Sequence, residues 1–281
     1  MTLSKQKTCS NTIAFAFLCL LSAIFLIPIL LVLLNSFKSR FYISSSPFAL
    51  PSSETFVGFE NYLNGLSSSG FFISFIRSVW VSIASVLVII VCTSMASWFI
   101  VRVKNKFTKA IYFLFAFSMI VPFQMVMYTM TFIVNRISFD NVFGIVFVYL
   151  GFGAGLSVFM FTGFVKAVPL EIEEAAEIDG CNPLQTFFLV VFPILKPTII
   201  TVSILNSMWV WNDYLLPYLI LGTDHKTVPV AIQIAMQGAY GATDYGGFMA
   251  MLVLAIIPIV IFYIASQKYI IKGVISGAVK G

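Results

Sequence analysis

The chain has 281 residues, of which 60% are hydrophobic and only 10% are charged, and its mean hydropathy is +1.01. Soluble domains carry far more charge, so this composition excludes a soluble enzyme or binding module and indicates an integral membrane protein. Sixteen Lys and Arg against 11 Asp and Glu give a net charge of +5. We attribute this surplus to the cytoplasmic ends of membrane helices rather than to nucleic-acid binding.

Six windows are long and apolar enough to cross a membrane, which takes about 20 residues in a helix. In chain order they cover residues 13–34, 79–101, 110–134, 142–164, 198–221 and 248–267. The first window follows two lysines as a secretion signal would, but its apolar run is too long and lacks a small-residue cleavage pattern. We therefore predict an all-α membrane protein with six transmembrane helices in a single domain, residues 1–281. Prolines 28, 122, 217 and 258 lie in or near these spans and can bend them.

The cations that flank the spans predict the orientation, because cytoplasmic loops are enriched in Lys and Arg. With the N-terminus inside, eleven cations lie on the cytoplasmic side and five outside. The inner set is Lys5, Lys7, Arg102, Lys104, Lys106, Lys109, Lys166, Lys196, Lys268, Lys272 and Lys280, and the outer set is Lys38, Arg40, Arg77, Arg136 and Lys226. Both termini are therefore predicted to be cytoplasmic, although Lys38 and Arg40 conflict with this count. Segments 35–78 and 222–247 would face outward; the first is either a solvated connector or a contact with a partner.

Metal and catalytic sites are not indicated by the reactive side chains. The four cysteines have no CxxC spacing, so we interpret them as free thiols. His225 is the only histidine, which excludes a His-based metal site and a His-dependent triad. The sequence therefore predicts no catalytic residue and no metal ligand.

Five of the eleven carboxylates fall within nine positions, from Glu171 to Asp179. Their spacing distributes them around a helix instead of converging on one point, which argues against a cation site or an acid–base pair. Ile172, Ala175 and Ala176 form a small apolar patch between them. This acidic stretch lies in the predicted cytoplasmic segment between the fourth and fifth spans.

Turn and cap residues divide the segment 169–193 into two short helices. Pro169 suits the first position of one helix, and Gly180 suits a left-handed cap at its end. Asn182 then suits the N-cap of a second helix whose first residue is Pro183. The segment is thus predicted to be a compact helical knob on the cytoplasmic side.

This knob resembles the EAA loop of binding-protein-dependent ABC importers. The family pattern is E-A-A, three residues, G, nine residues, I, one residue, L-P; here it reads Glu174-Ala175-Ala176, Gly180, Val190, Phe192 and Pro193. Trp211-Asn212-Asp213-Tyr214 is similar to the W-N-E/D-F/Y of carbohydrate-importer permeases. The ending KYIIKGVISGAVKG is similar to that of the maltose-type permease subunit without a large extra external domain.

The resemblance implies an ABC permease subunit for a di- or oligosaccharide, located in the cytoplasmic membrane. It implies that Glu174, Ala175, Ala176, Gly180 and Pro193 form a coupling segment that docks on a separate cytoplasmic ATPase dimer. Further implied partners are a second, homologous permease and an external solute-binding protein. The chain has no GxxxxGK[ST] loop, so ATP and Mg²⁺ are expected on the ATPase, and this subunit is expected to hold no cofactor and to catalyse no reaction.

Two further sites are predicted with alternatives open. Trp211, Asn212, Asp213 and Tyr214 line the translocation path or a gate, or else Asp213 only fixes its helix. Gln237, Gly238, Tyr240 and Gly241 contact the binding protein, or else belong to a mobile loop. An ion-gradient-driven secondary carrier is the alternative function, but such carriers show inverted repeats and coupled intramembrane charges.

Overall fold

The computed structural model describes residues 2–236 and 243–278, and describes side chains for residues 12–236 and 243–269. These residues are mostly helical, and Lys38 and Phe56 form an isolated antiparallel bridge. The α-helices are α1 Thr2–Asn35, α2 Arg40–Ser45, α3 Glu60–Ser69, α4 Phe71–Arg102, α5 Lys106–Ser118, α6 Phe123–Arg136, α7 Gly144–Val165, α8 Leu170–Ile178, α9 Pro183–Gln185, α10 Phe192–Ile194, α11 Lys196–Asn212, α12 Leu215–Leu221, α13 Val228–Ala235 and α14 Tyr245–Ala278. A π-helical segment, Thr186–Val191, lies between α9 and α10.

Within the residues that the structure describes, four helices are long and apolar enough to span a membrane: α1, α4, α7 and α14. The predicted windows 13–34, 79–101 and 248–267 lie within α1, α4 and α14, and α7 covers the window 142–164 from Gly144 onward, so these four windows are confirmed as helical. Two further pairs of helices are bent: α5 with α6, and Pro183–Ile194 with α11. If each bent pair is one span, the number of candidate spans is six.

The window 110–134 is a bent pair of helices and not one continuous helix. α5 and α6 meet at an angle of 109°, with Pro122 at the N-cap of α6. A proline cannot donate a backbone hydrogen bond, and it disfavours helical geometry in the residue before it. Pro28 and Pro258, in contrast, lie inside unbroken helices.

The window 198–221 is also interrupted. α11 ends at Asn212, Asp213 is extended with ψ of 122°, and α12 begins only at Leu215. The prediction of a continuous fifth helix is therefore wrong, because a capping carboxylate starts a new helix within the apolar window.

The chain divides into two compact units, Met1–Phe71 with Ile232–Ile257 and Phe72–Ala231 with Pro258–Gly281. In the first unit, the described α1 side chains from Thr12 to Leu30 are all exposed, and they are apolar on every side of the helix. Such a helix suits an apolar environment such as lipid.

The segment between α1 and α4, which was predicted to face outward, is folded rather than a bare connector. Lys38 is only 1% exposed, and its Nζ donates to the carbonyl oxygen of Ser46 at 3.0 Å. Burial lowers the pKa of Lys38. Asn61 Nδ2 donates to the carbonyl oxygens of Ser36 and Lys38, each at 2.8 Å. The ammonium group of Lys38 therefore donates to backbone carbonyl oxygens within a folded segment, so Lys38 is not a free loop charge.

The second unit has a core where α4, α7, the π-helical segment and α11 meet. Its buried members are Val86, Ile89, Ile90, Phe161, Val165, Phe187, Val191, Leu195 and Val202. α7 approaches its neighbours closely at Gly153, where a Cβ would lie 2.7 Å from Ile89 Cδ1 and 2.8 Å from Asn206 Oδ1. Small residues at such positions permit close helix packing in membranes.

Candidate functional site

α8 has the local geometry predicted for the first half of the knob. It begins at Leu170, one residue later than predicted, because Pro169 has a ψ of 135° and serves as the N-cap. Gly180 has a φ of +89°, so the left-handed cap is confirmed. The N–H of Cys181 donates to Ala176 O and that of Gly180 to Glu177 O, both at 3.0 Å. This pair of bonds is a Schellman motif, which ends the helix with its carbonyls satisfied.

The second half of the knob also begins as predicted. Asn182 is the N-cap of α9, and its Oδ1 accepts the N–H of Gln185 at 3.0 Å while Gln185 Oε1 accepts the N–H of Asn182 at 2.9 Å. Pro183 occupies the first turn. The π-helical segment follows, and the exposed Pro193 lies at the start of α10, just before the 77° bend into α11.

α8 makes an ion pair with α4 that the sequence did not predict. Glu173 is buried, and its carboxylate accepts hydrogen bonds from Arg102 Nη2 at 2.6 Å, Arg102 Nε at 3.0 Å and Trp98 Nε1 at 2.8 Å. Arg102 Nη2 also donates to the carbonyl oxygen of Val168 at 3.0 Å. We call Trp98, Arg102 and Glu173 the clasp, because they join α8 to the last turns of α4.

The two faces of α8 differ in burial. Glu173 and Ala176 are buried, whereas Glu174 and Ala175 are exposed. Ile178 is 86% exposed. The structure thus removes Ala176 from the predicted apolar contact patch, because its side chain is turned toward the protein. We call Glu174, Ala175 and Ile178 the outer face of α8.

Asp213 acts within its own segment. Its Oδ1 accepts the N–H groups of Leu215 at 3.1 Å and Leu216 at 3.3 Å, which caps the first turn of α12. Its Oδ2 accepts the hydroxyl of the buried Tyr149 at 3.2 Å. These bonds favour the interpretation in which Asp213 fixes the helix break. Asn212 Nδ2 donates to Met208 O at 2.7 Å, and Tyr214 stacks on Tyr218.

Trp211 alone of the Trp-Asn-Asp-Tyr motif lines a cavity of about 360 Å³ between α4, α11 and α14. The walls of this cavity are mainly apolar and include three serine hydroxyls, from Ser82, Ser203 and Ser207. Trp211 packs edge-on against Phe75, with ring centroids 5.8 Å apart. The structure therefore separates one predicted path residue from the other three.

The predicted external contact residues Gln237, Gly238, Tyr240 and Gly241 lie outside the described residues. The chain on either side of them is joined by a hydrogen bond from the N–H of Asp244 to Met236 O at 2.9 Å. Cys19, Cys92 and Cys181 are free thiols, as predicted.

Comparison with known proteins gives consistent relationships over most of the chain. The model of the family described as "Binding-protein-dependent transport system inner membrane component" matches residues 89–276. The probable starch degradation products transport system permease protein AmyC of Thermoanaerobacterium thermosulfurigenes is 35% identical, over 92% of this chain and 93% of its own. The melibiose/raffinose/stachyose import permease protein MelC of Bacillus subtilis is 32% identical over 91% of each chain.

A solved structure shares the fold. A chain of a bacterial ABC transporter involved in the import of the acidic polysaccharide alginate superposes with a TM-score of 0.78 at 20% identity, covering 94% of this chain and 97% of that one. The family match, the relatives and the apolar helices agree on a multi-pass protein of the cytoplasmic membrane. The chain therefore belongs to the family of binding-protein-dependent transport system inner membrane components, the permease subunits of ABC importers.

Proposed function

We propose that this chain is a permease subunit of an ATP-driven importer for a di- or oligosaccharide. In this proposal it forms one permease domain with both termini in the cytoplasm, and it pairs with a second permease. A cytoplasmic ATPase dimer binds Mg²⁺ and ATP and hydrolyses the ATP, and an external binding protein delivers the sugar. The observation that carries the proposal is the two-sided α8, which exposes one face and is anchored to α4 by the other.

The outer face of α8 is suited to docking. Ile178 is an isoleucine with 86% of its surface exposed, and it lies on the same side of the helix as Ala175. Apolar side chains exposed together, next to charged ones, are typical of a protein contact. Glu174 beside them would pair with a basic residue of the ATPase, and Gly180 would let the chain turn away directly after the contact.

Force applied at the outer face has a direct route into the membrane helices. The clasp ties α8 to α4, and the core residues Phe187 and Val191 tie the following π-helical segment to α4 and α7. Packed elements of this kind shift as bodies instead of deforming continuously. A displacement of α8 would therefore move the Arg102 end of α4, a helix that also lines the 360 Å³ cavity.

The cavity offers chemistry suited to a sugar. An indole face packs against the apolar side of a pyranose ring, and serine hydroxyls donate to and accept from its hydroxyl groups. Trp211, Ser203 and Ser207 provide both on one helix. The similar permeases of known name serve starch degradation products and melibiose, raffinose and stachyose. These relatives favour a substrate of two or more sugar units, alternately exposed to the two sides of the membrane as α4 and α11 move.

The docking proposal is tested by co-purification of the ATPase with tagged permease. Glu174→Lys reverses a charge on the outer face and is expected to weaken association by about 2–5 kcal/mol, as for one partner of an interfacial pair. Glu177→Lys is the matched control, because Glu177 is exposed but lies one turn after the buried Glu173, nearly opposite Ala175 on the helix. Equal retention of the ATPase by both variants would contradict docking at the outer face.

The importer itself is tested in proteoliposomes. Sugar uptake is expected only when the ATPase, ATP and the binding protein are all present. The ligand of that binding protein, measured by calorimetry against a panel of sugars, identifies the substrate. Uptake by this chain alone without ATP would instead establish a secondary carrier.

A further inference from the structure

A second cavity, of about 780 Å³, lies where the end of α4, the beginning of α5 and the end of α7 come together. Four cationic side chains line it: Arg102, Lys104, Lys109 and Lys166. The cavity lies beside the clasp, since Arg102 belongs to both and Leu170, the first residue of α8, forms part of its wall.

Three of the four cations lack an acidic partner. Arg102 is paired with Glu173 at 2.6 Å, and this is the one ion pair among the side chains that the structure describes. Lys104, Lys109 and Lys166 have no carboxylate within 4.0 Å in the described part of the chain. None of the residues that line the cavity is an acid. Like charges that face one cavity repel each other, and a bound anion would relieve this repulsion.

The walls of this cavity are partly apolar, which suits an anion that also carries apolar groups. Ile100, Val101 and Leu170 line the same cavity, and the Tyr112 ring lies 5.8 Å from the Lys166 ammonium group. Outside it, α5 exposes four large apolar side chains, which are Phe107 at 65%, Phe113 at 70%, Leu114 at 65% and Phe117 at 52%. Apolar side chains this exposed on a membrane helix suit contact with lipid chains.

We propose that this cavity, which we call the basic cavity, binds the phosphate group of an anionic phospholipid. The headgroup phosphate would sit among Lys104, Lys109 and Lys166, and the acyl chains would follow the apolar surface of α5. Basic pockets between membrane helices are a recurrent means of holding such headgroups. The orientation proposed above serves only to assign the lipid to the cytoplasmic leaflet, and binding requires neither the sugar nor the ATPase.

Binding is measured on the full-length permease, purified with its partners in an uncharged detergent and stripped of lipid. Dioctanoyl phosphatidylglycerol, dioctanoyl phosphatidylcholine and inorganic phosphate are titrated at equal ionic strength, with bound lipid counted by native mass spectrometry. Phosphatidylglycerol is expected to bind. Removal of each lysine is expected to weaken its binding about fivefold, because one cation near an anionic lipid contributes about 1 kcal/mol. Lys104→Gln/Lys109→Gln/Lys166→Gln should therefore weaken binding about a hundredfold.

The matched control is Lys106→Gln/Lys196→Gln/Lys268→Gln, which removes the same charge from lysines that do not line the cavity. It should leave binding within about twofold, and equal losses in the two triple variants would overturn the proposal. Inorganic phosphate that binds more tightly than phosphatidylglycerol, with sensitivity to the same three lysines, would overturn the lipid assignment. If the triple variant does not fold, Lys166→Gln must still weaken binding about fivefold and Lys166→Arg must restore it.

Discussion

Replacement of Glu173 by glutamine tests the clasp with a minimal change of shape. The amide keeps one oxygen as an acceptor, but it removes the negative charge and directs its own N–H donors at Trp98 and Arg102. Both of these side chains donate to the native carboxylate. The variant therefore leaves the Arg102 cation without a carboxylate, and its remaining acceptors are neutral: one amide oxygen and the carbonyl oxygen of Val168.

The size of the effect follows from the burial of the pair. Removing one partner of a fully buried ion pair costs about 3–5 kcal/mol, whereas exposed pairs contribute about 1 kcal/mol or less. The Glu173 side chain is 5% exposed and that of Arg102 is 19% exposed, so the cost should be closer to that of a fully buried pair than to that of an exposed one. Water reaches Arg102 in part, so we expect a loss of about 2–3 kcal/mol in the contact of α8 with α4.

Two measurements follow the consequences. Thermal unfolding of the purified complex should shift downward, and the ratio of sugar transported to ATP hydrolysed should fall, because α8 can then move without carrying α4. Glu177→Gln is the control, since it makes the same chemical change at an exposed position one turn later. Surface changes of that kind usually alter stability by less than about 0.5 kcal/mol. An unchanged transport ratio in Glu173→Gln would refute the role of the clasp in coupling.

Two other predictions concern backbone positions. Gly180→Ala should destabilise α8 by about 1–2 kcal/mol, because φ is +89° and a side chain is strained there even though an added Cβ meets no atom within 4 Å. Gly180→Asn should cost less, because asparagine adopts this conformation more readily. Equal shifts in the unfolding temperature of the permease for the two variants would contradict this account. Asp213→Asn should retain the α12 cap and most uptake, whereas Asp213→Ala should lose about 1 kcal/mol. If instead both Asp213 variants abolish uptake, the charge itself is required.

The features that the sequence predicted correctly depend on near neighbours. The Asn182 cap involves a residue three positions away, and the Gly180 cap requires only a local left-handed conformation. Four spans were also predictable, because hydropathy over 20 residues is a local property. The same averaging concealed the breaks at Pro122 and Asp213, because one residue barely changes the mean hydropathy of a window. That one residue can nevertheless end a helix, since Pro122 lacks a backbone N–H and the Asp213 carboxylate accepts the N–H groups of a new helix.

The clasp could not be predicted in this way, because Arg102 and Trp98 lie 71 and 75 residues before Glu173 in the sequence. Nothing in the run of acids singles out Glu173 from the exposed acids around it. Its selection depends on where α4 ends relative to α8, which is a property of the packed helices. The sequence does contain one indication of such a site, the pair Trp98 and Arg102. These residues are four apart and therefore on one face of a helix, where both side chains can donate to one carboxylate.

The burial of Ala176, in contrast, was open to deduction from helix geometry. Consecutive residues of an α-helix point about 100° apart, so Ala175 and Ala176 cannot both face one partner squarely. Residues three apart point the same way within about 60°, which groups Glu173 with Ala176 on one side. Once Glu173 is held by α4, Ala176 must turn inward, and Ala175 with Ile178 must turn outward. The two alanines of the motif therefore have different surroundings: Ala176 lets α8 lie close to the π-helical segment that it packs against, whereas Ala175 is exposed and, under the docking proposal, would leave room for the ATPase.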